Sequence, residues 1–154
     1  MTYTCDMRRS SVVLFISTLL WGQAALGATS VIVDPGGGGD YVTIQSALDW
    51  AANGSDILIT DGEYAEDLVH ASGRHYTLKR RTLTDVVTLI GSNSASNIIL
   101  QVEGSSVLDI HDITFDGDPN SVPFGIYCSA GQIHAAGCTF NDLWGAGIKV
   151  TGLT

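Results

Sequence analysis

Thr88-Leu89-Ile90-Gly91, Thr114-Phe115-Asp116-Gly117 and Thr139-Phe140-Asn141-Asp142 begin 26 and then 25 residues apart, each pairing a threonine with a large apolar residue ahead of a turn. A second row aligns Leu100 with Ile126 and Ile148, and Val102 with Cys128 and Val150, at steps of 26 and 22. A third aligns Ile110 with Ile133, a step of 23. Independent segments thus recur at nearly one period. Strands of a β-sandwich have no reason to repeat in this way, whereas the coils of a solenoid do, because each coil places the same residue types over its neighbour.

Outward from these repeats the chain reads as short strands separated by Gly, Asn, Asp or Ser. The apolar runs are Val31–Val33, Asp56–Ile59, Tyr76–Leu78, Val86–Ile90, Ile98–Val102, Val107–Ile110, Ile113–Phe115, Phe124–Cys128 and Gly147–Val150. Period two over three to five residues marks half-buried strands. One segment departs from this: Ile44, Ala47, Leu48 and Ala51 fall at i, i+3, i+4 and i+7 and form one helical stripe. Thr43 is its expected N-cap and Asn53-Gly54 its C-terminal stop. The expected fold is all-β, a parallel β-helix with about three strands per coil and one N-terminal capping α-helix, its stripe lying across the end of the aliphatic core. The sequence stops inside a strand pattern, so the chain reads as truncated at its C-terminal end, the first coils of a longer solenoid.

Residues 1–27 read as a secretory signal peptide. Arg8 and Arg9 precede the apolar run Val12–Leu20, and Ala25-Leu26-Gly27 supplies a small-x-small cleavage site. The run is too short for a spanning helix, which needs roughly 20 apolar residues. The expected mature domain, 28–154, loses Asp6, Arg8 and Arg9, so its formal charge falls from −9 to −10. Phosphate capture needs clustered Lys and Arg, and only Lys79, Arg80 and Arg81 cluster, so nucleic acid is not an expected partner. Membrane association is not expected after cleavage. Cys128 and Cys138 remain; they align with inward apolar positions in different rows, which predicts buried thiols rather than a disulfide. The glycine run Gly36–Gly39 lacks the Gly-Lys-Ser/Thr ending of a phosphate loop and reads as a turn. Asn53-Gly54-Ser55 is a glycosylation sequon, meaningful in a eukaryotic secretory pathway.

Val31-Ile32-Val33-Asp34, Gly39-Asp40-Tyr41-Val42-Thr43-Ile44-Gln45-Ser46-Ala47-Leu48 and Asp56-Ile57-Leu58-Ile59-Thr60-Asp61-Gly62-Glu63-Tyr64, followed by Val87-Thr88-Leu89-Ile90-Gly91, resemble the opening of pectin-lyase-like β-helix proteins, among them pectin methylesterases and bacterial right-handed β-helix proteins. The resemblance implies a right-handed parallel β-helix and is shared by enzymes and non-enzymes, so it implies fold more than reaction. It also implies that active residues would sit on middle coils along one outer face: paired aspartates with arginine and glutamines in methylesterases, aspartates with histidine in polygalacturonases, calcium-binding aspartates with an arginine base in pectate lyases. No such motif occurs here, and no arginine follows Arg81. The resemblance transfers no catalytic residue.

The residues themselves offer three further constellations. His111 and His134 follow the aligned Ile110 and Ile133, which would set two imidazoles outward on neighbouring coils about 4.8 Å apart, a start for a metal site with Asp109 or Asp112. Asp116, Asp118 and Asn120 alternate oxygen ligands as a calcium loop begins, although Ser121 and Tyr127 occupy the glycine and glutamate positions of an EF-hand. Asp61, Glu63, Glu66 and Asp67 carry carboxylates of the kind that acid–base sugar chemistry uses, their separations being undefined in sequence. The functional expectation is a secreted β-helix module associated with extracellular or cell-surface polysaccharide, with no complete active site in this chain and calcium as the one candidate cofactor. The alternatives are the N-terminal fragment of a pectin-type polysaccharide lyase, hydrolase or esterase, and a structural or adhesion solenoid of a surface protein.

Overall fold

The structure is a computed structural model that describes residues 29–91, 98–117 and 122–151. Residues 1–27, read in sequence as a signal peptide, therefore lie outside the described residues. Thirteen strands and one helix follow one another: β1 (Ser30–Val33), α1 (Ile44–Trp50), β2 (Asp56–Ile59), β3 (Gly62–Tyr64), β4 (Leu68–His70), β5 (His75–Arg80), β6 (Val87–Ile90), β7 (Ile98–Val102), β8 (Val107–His111), β9 (Thr114–Asp116), β10 (Phe124–Cys128), β11 (Gln132–Ala136), β12 (Thr139–Asn141) and β13 (Ala146–Val150). All strand pairing between them is parallel and builds three sheets, ordered β1-β2-β5-β8-β11, β3-β6-β9-β12 and β4-β7-β10-β13. Every third strand returns to the same sheet one position further along. That is the connectivity of a β-solenoid, here of four coils preceded by β1.

Each coil places its inward residues over those of the next, and the resulting rows are the core. Tyr64, Leu89, Phe115 and Phe140 stack in register, as do Leu68, Leu100, Ile126 and Ile148. Ile57, Leu78 and Ile110 form another row, continued by Ala135. Phe115 and Phe140 have ring centroids 5.1 Å apart in a stacked arrangement, which favours pairing beyond area burial. The Thr88–Thr114–Thr139 and Val102–Cys128–Val150 rows fall as the repeats predict.

The Ile110–Ile133 row does not. Ile133 sits beside Leu108, and Ala135 beside Ile110, so the step in this sheet is 25 residues rather than 23. The cause is geometric: His111 and Thr114, like Ala136 and Thr139, are three positions apart, so the 25-residue step of the threonine row fixes the neighbouring sheet too. Matching Ile to Ile overlooked that Ala135 is small enough to face inward. The left-handed corner is reused as well, by Asp112 (φ 57°) after β8 and Gly137 (φ 67°) after β11.

Helix α1 forms where the sequence places it. Thr43 has extended backbone and its hydroxyl accepts from the Ser46 amide at 3.1 Å. Glu66 completes the cap, its carboxylate accepting from the Ile44 and Gln45 amides at 3.0 and 2.9 Å. Ile44, Ala47 and Leu48 are buried in the core beside β1 and β4. The Gln45 side chain also behaves like a short strand: its amide donates to the Val69 carbonyl and accepts from the Val69 N–H. An edge of β4 is thereby satisfied, as exposed strand edges require. Of the strands outside the apolar runs read in sequence, β3 and β4 belong to the coil beside this helix, and β11 and β12 to the last coil described.

Among the described residues both cysteines, Cys128 and Cys138, are free. Cys128 is buried, whereas Cys138 is half-buried, lying between β11 and β12, which are each paired on one side only among the described residues. Burial pushes the Cys138 thiol up from its ordinary value.

Candidate functional site

The outer face of the five-stranded sheet gathers the groups with chemistry. Alternation sends Asp56, Thr77, Asp109 and His134 outward in one register row with Ser30. A second row carries Ile32, Leu58, Lys79, His111 and Ala136. His75, at the start of β5, lies beside Val107. Downstream of residue 27 the chain has five Lys and Arg residues, and four of them, Arg74, Lys79, Arg80 and Arg81, lie on β5 or next to it. Three of the four histidines, His75, His111 and His134, are on the same sheet. In a chain of net charge −9 that is a strong segregation.

Within this face Asp109 is the hub. His75 Nε2 lies 2.6 Å from its Oδ2, and His134 Nδ1 lies 2.6 Å from its Oδ1. A carboxylate only accepts, so each of those ring nitrogens is the donor, which fixes the neutral tautomers as Nε2–H for His75 and Nδ1–H for His134. The other nitrogen of each ring is then left with a lone pair. Both imidazoles are more than half exposed, at 53% and 68% of the side chain, against 25% for Asp109. Partial burial pushes the Asp109 carboxyl up, but the hydrogen bonds from His75 and His134 outweigh it and hold the group below its ordinary value. Lys79 Nζ meets Asp56 Oδ2 at 2.7 Å. At the corner, Arg80 reaches Asp112 at 3.4 Å and the Leu83 carbonyl at 2.9 Å.

This geometry revises the residues singled out in sequence. The corrected register puts His134 beside Asp109, while His111 lies beside Lys79 and Ala136. His111 and His134 are therefore diagonal neighbours, about 7–8 Å apart at their backbones, rather than the directly opposed pair expected. Among the described residues no group of three His, Cys, Asp or Glu is placed to hold a metal ion. Of the calcium candidates, Asp116 ends β9 beside Ile90 and Asn141; Asp118 and Asn120 lie outside the described residues. The acidic segment is partly structural: Asp61 accepts from the Val86 amide at 2.8 Å, and Glu66 caps α1. In the sequon, Asn53 accepts from the His75 amide at 2.7 Å and Ser55 is fully buried. What sequence reasoning missed is the role of His75 and Asp109. The signal was present, since the 25-residue step of the threonine row, applied to Asp109, lands on His134.

Comparison of the chain with family models, with curated proteins and with solved structures gives no significant match. The chemistry of the face therefore rests on its own residues. It presents hydrogen-bond donors and acceptors in rows whose members are about 4.8 Å apart, with two exposed imidazoles beside one carboxylate. No helix among the described residues is long and apolar enough to cross a membrane.

Proposed function

We propose that this chain is a secreted right-handed β-helix module of the pectin-lyase-like kind that docks onto extracellular polysaccharide through the outer face of its five-stranded sheet. The observation that carries the reading is the segregation of His75, Lys79, Arg80, His111 and His134 onto one sheet of an acidic chain. A flat, repetitive face suits an extended polymer, because each coil can repeat the contact made by its neighbour. Right-handed winding is the expected hand, since parallel crossover connections are right-handed in about 98% of cases. The polar residues form rows rather than a nucleophile–base–orienter constellation, which favours binding over turnover.

The test is retention of residues 28–154 on immobilised polygalacturonate and on methylated pectin, with calcium and with chelator. Thr77→Glu puts charge and bulk into the middle of the outward row, and Thr114→Glu puts the same change on a different sheet. Retention lost in the first and kept in the second is the expected result. Equal loss in both moves the binding site elsewhere. Release of reducing or unsaturated sugar would make the chain an enzyme.

A further inference from the structure

We infer that the His75–Asp109–His134 bridge gates this face by pH, so that it takes a carboxylated glycan in acid and releases it at neutral pH. The inference rests on the docking face proposed above and names the charge class of its ligand and the control of its binding.

The argument starts from charge. The groups at or beside the bridge are Asp56 from β2; His75, Lys79 and Arg80, with Arg74 just ahead and Arg81 just after, from β5; Asp109 and His111, with Asp112 just after, from β8; and His134 from β11. β1 contributes none. With neutral imidazoles, Lys79 is matched by Asp56 at 2.7 Å and Arg80 by Asp112 at 3.4 Å, while Asp109 carries an uncompensated negative charge. Arg74 is turned to the helix end, donating to the Asp49 and Ala51 carbonyls at 3.0 and 3.1 Å. Arg81, exposed just past the end of β5, is then the one cation beside the face that neither a carboxylate nor the helix end engages among the described residues, in a chain that is acidic overall.

Protonation changes this. Histidine is the side chain whose ordinary titration falls between pH 5 and 8. In the neutral bridge the two N–H groups already point to Asp109, so each added proton goes to the other ring nitrogen. Each ring thereby gains a donor that Asp109 does not use, and two positive charges surround one carboxylate. His111 adds a third beside Lys79. Protonation thus turns a face whose charges nearly cancel into one with a clear positive excess, without movement of the backbone. Exposed unit charges in a water-like dielectric contribute a few-fold each, so two of them raise affinity for an anionic polymer by about tenfold.

The experiment measures binding of residues 28–154 to polygalacturonate and to fully methyl-esterified pectin at about pH 5 and about pH 7.5, across the histidine range. Wild type should bind polygalacturonate about tenfold tighter in acid, and added salt should remove the gain. The double variant His75→Gln/His134→Gln should lose most of the gain while keeping its circular dichroism. Asp109→Asn should bind more tightly at neutral pH, because the repelling carboxylate is gone. An unchanged acid gain in the double variant overturns the inference, since general loss of negative charge would then be the cause. Equal binding of both polymers at both pH values also overturns it but leaves the docking face standing. Failure to bind either polymer at either pH removes both.

Discussion

The imidazole of His70 lies in an inward row whose other members are Val102, Cys128 and Val150. Its Nε2 is 2.9 Å from the Arg74 carbonyl, so that nitrogen carries the hydrogen, and Nδ1 has no partner. Burial holds its pKa below the ordinary histidine value. The unfolded chain therefore binds the proton more readily than the folded one. Stability is full above the unfolded value near 6.5 and declines as pH falls through it. His70→Leu should remove this decline, and the Arg74 carbonyl would keep the Val107 amide as its donor. Thermal melts at pH values on either side of 6.5 check this: an acid loss that persists in His70→Leu assigns it elsewhere. The cysteines make a second prediction at this scale. Cys128→Asp should cost about 3–5 kcal/mol, as an uncompensated buried charge does. Cys138→Asp should cost less, because that site is only half-buried. Urea unfolding of both variants ranks them, and the reverse order would contradict the placement of β12 and β13.

Among the elements, α1 shows how a seven-residue helix holds its place. Isolated helices of that length do not persist in water, and its stability comes from Ile44, Ala47 and Leu48 in the core and from acceptors supplied by other elements. Glu66→Ala removes both acceptors for the Ile44 and Gln45 amides and should cost about 1–2 kcal/mol. Gln45→Ala strips the Val69 edge of its only side-chain partner on this side and should raise exchange at the Val69 amide. Amide exchange read by mass spectrometry distinguishes the two, since the first loosens the helix start and the second the edge of β4. If neither changes exchange near α1, the cap is held by apolar packing alone.

For the whole molecule, the solenoid plan makes stability a sum of neighbour contacts between coils. Strands β5 and β8 are paired on both sides, whereas β11, β12 and β13 are paired on one side only among the described residues. Ile148 and Val150, inward by register, are 39% and 44% exposed. In the 154-residue chain, amide protection should therefore fall from the helix-covered coils toward β11–β13. Uniform protection across all coils would mean that they unfold as one unit. Phe115→Ala, at a fully buried position stacked on Phe140, should cost about 3–5 kcal/mol and extend the low-protection zone inward by one coil.

The period, the strand–turn alternation and the helix with its Thr43 cap were all legible in residue order, because each depends on neighbours within a few positions or on an exact repeat of side-chain type. The threonine row even carried the register that brings Asp109 to His134. Strands β3 and β4 escaped notice because Gly62–Tyr64 and Leu68–His70 are three residues long, too short to show periodicity; they are strands through the ladder of the next coil. The pairing of His75 with Asp109 was likewise invisible. The two residues are 34 positions apart, because the step from β5 to β8 is 32 residues rather than 25 and His75, whose register partner is Val107, reaches Asp109 on the diagonal. Only closure of the sheet sets such a distance, since backbone hydrogen bonds between coils fix the register and side chains separated by variable loops meet only once it is fixed.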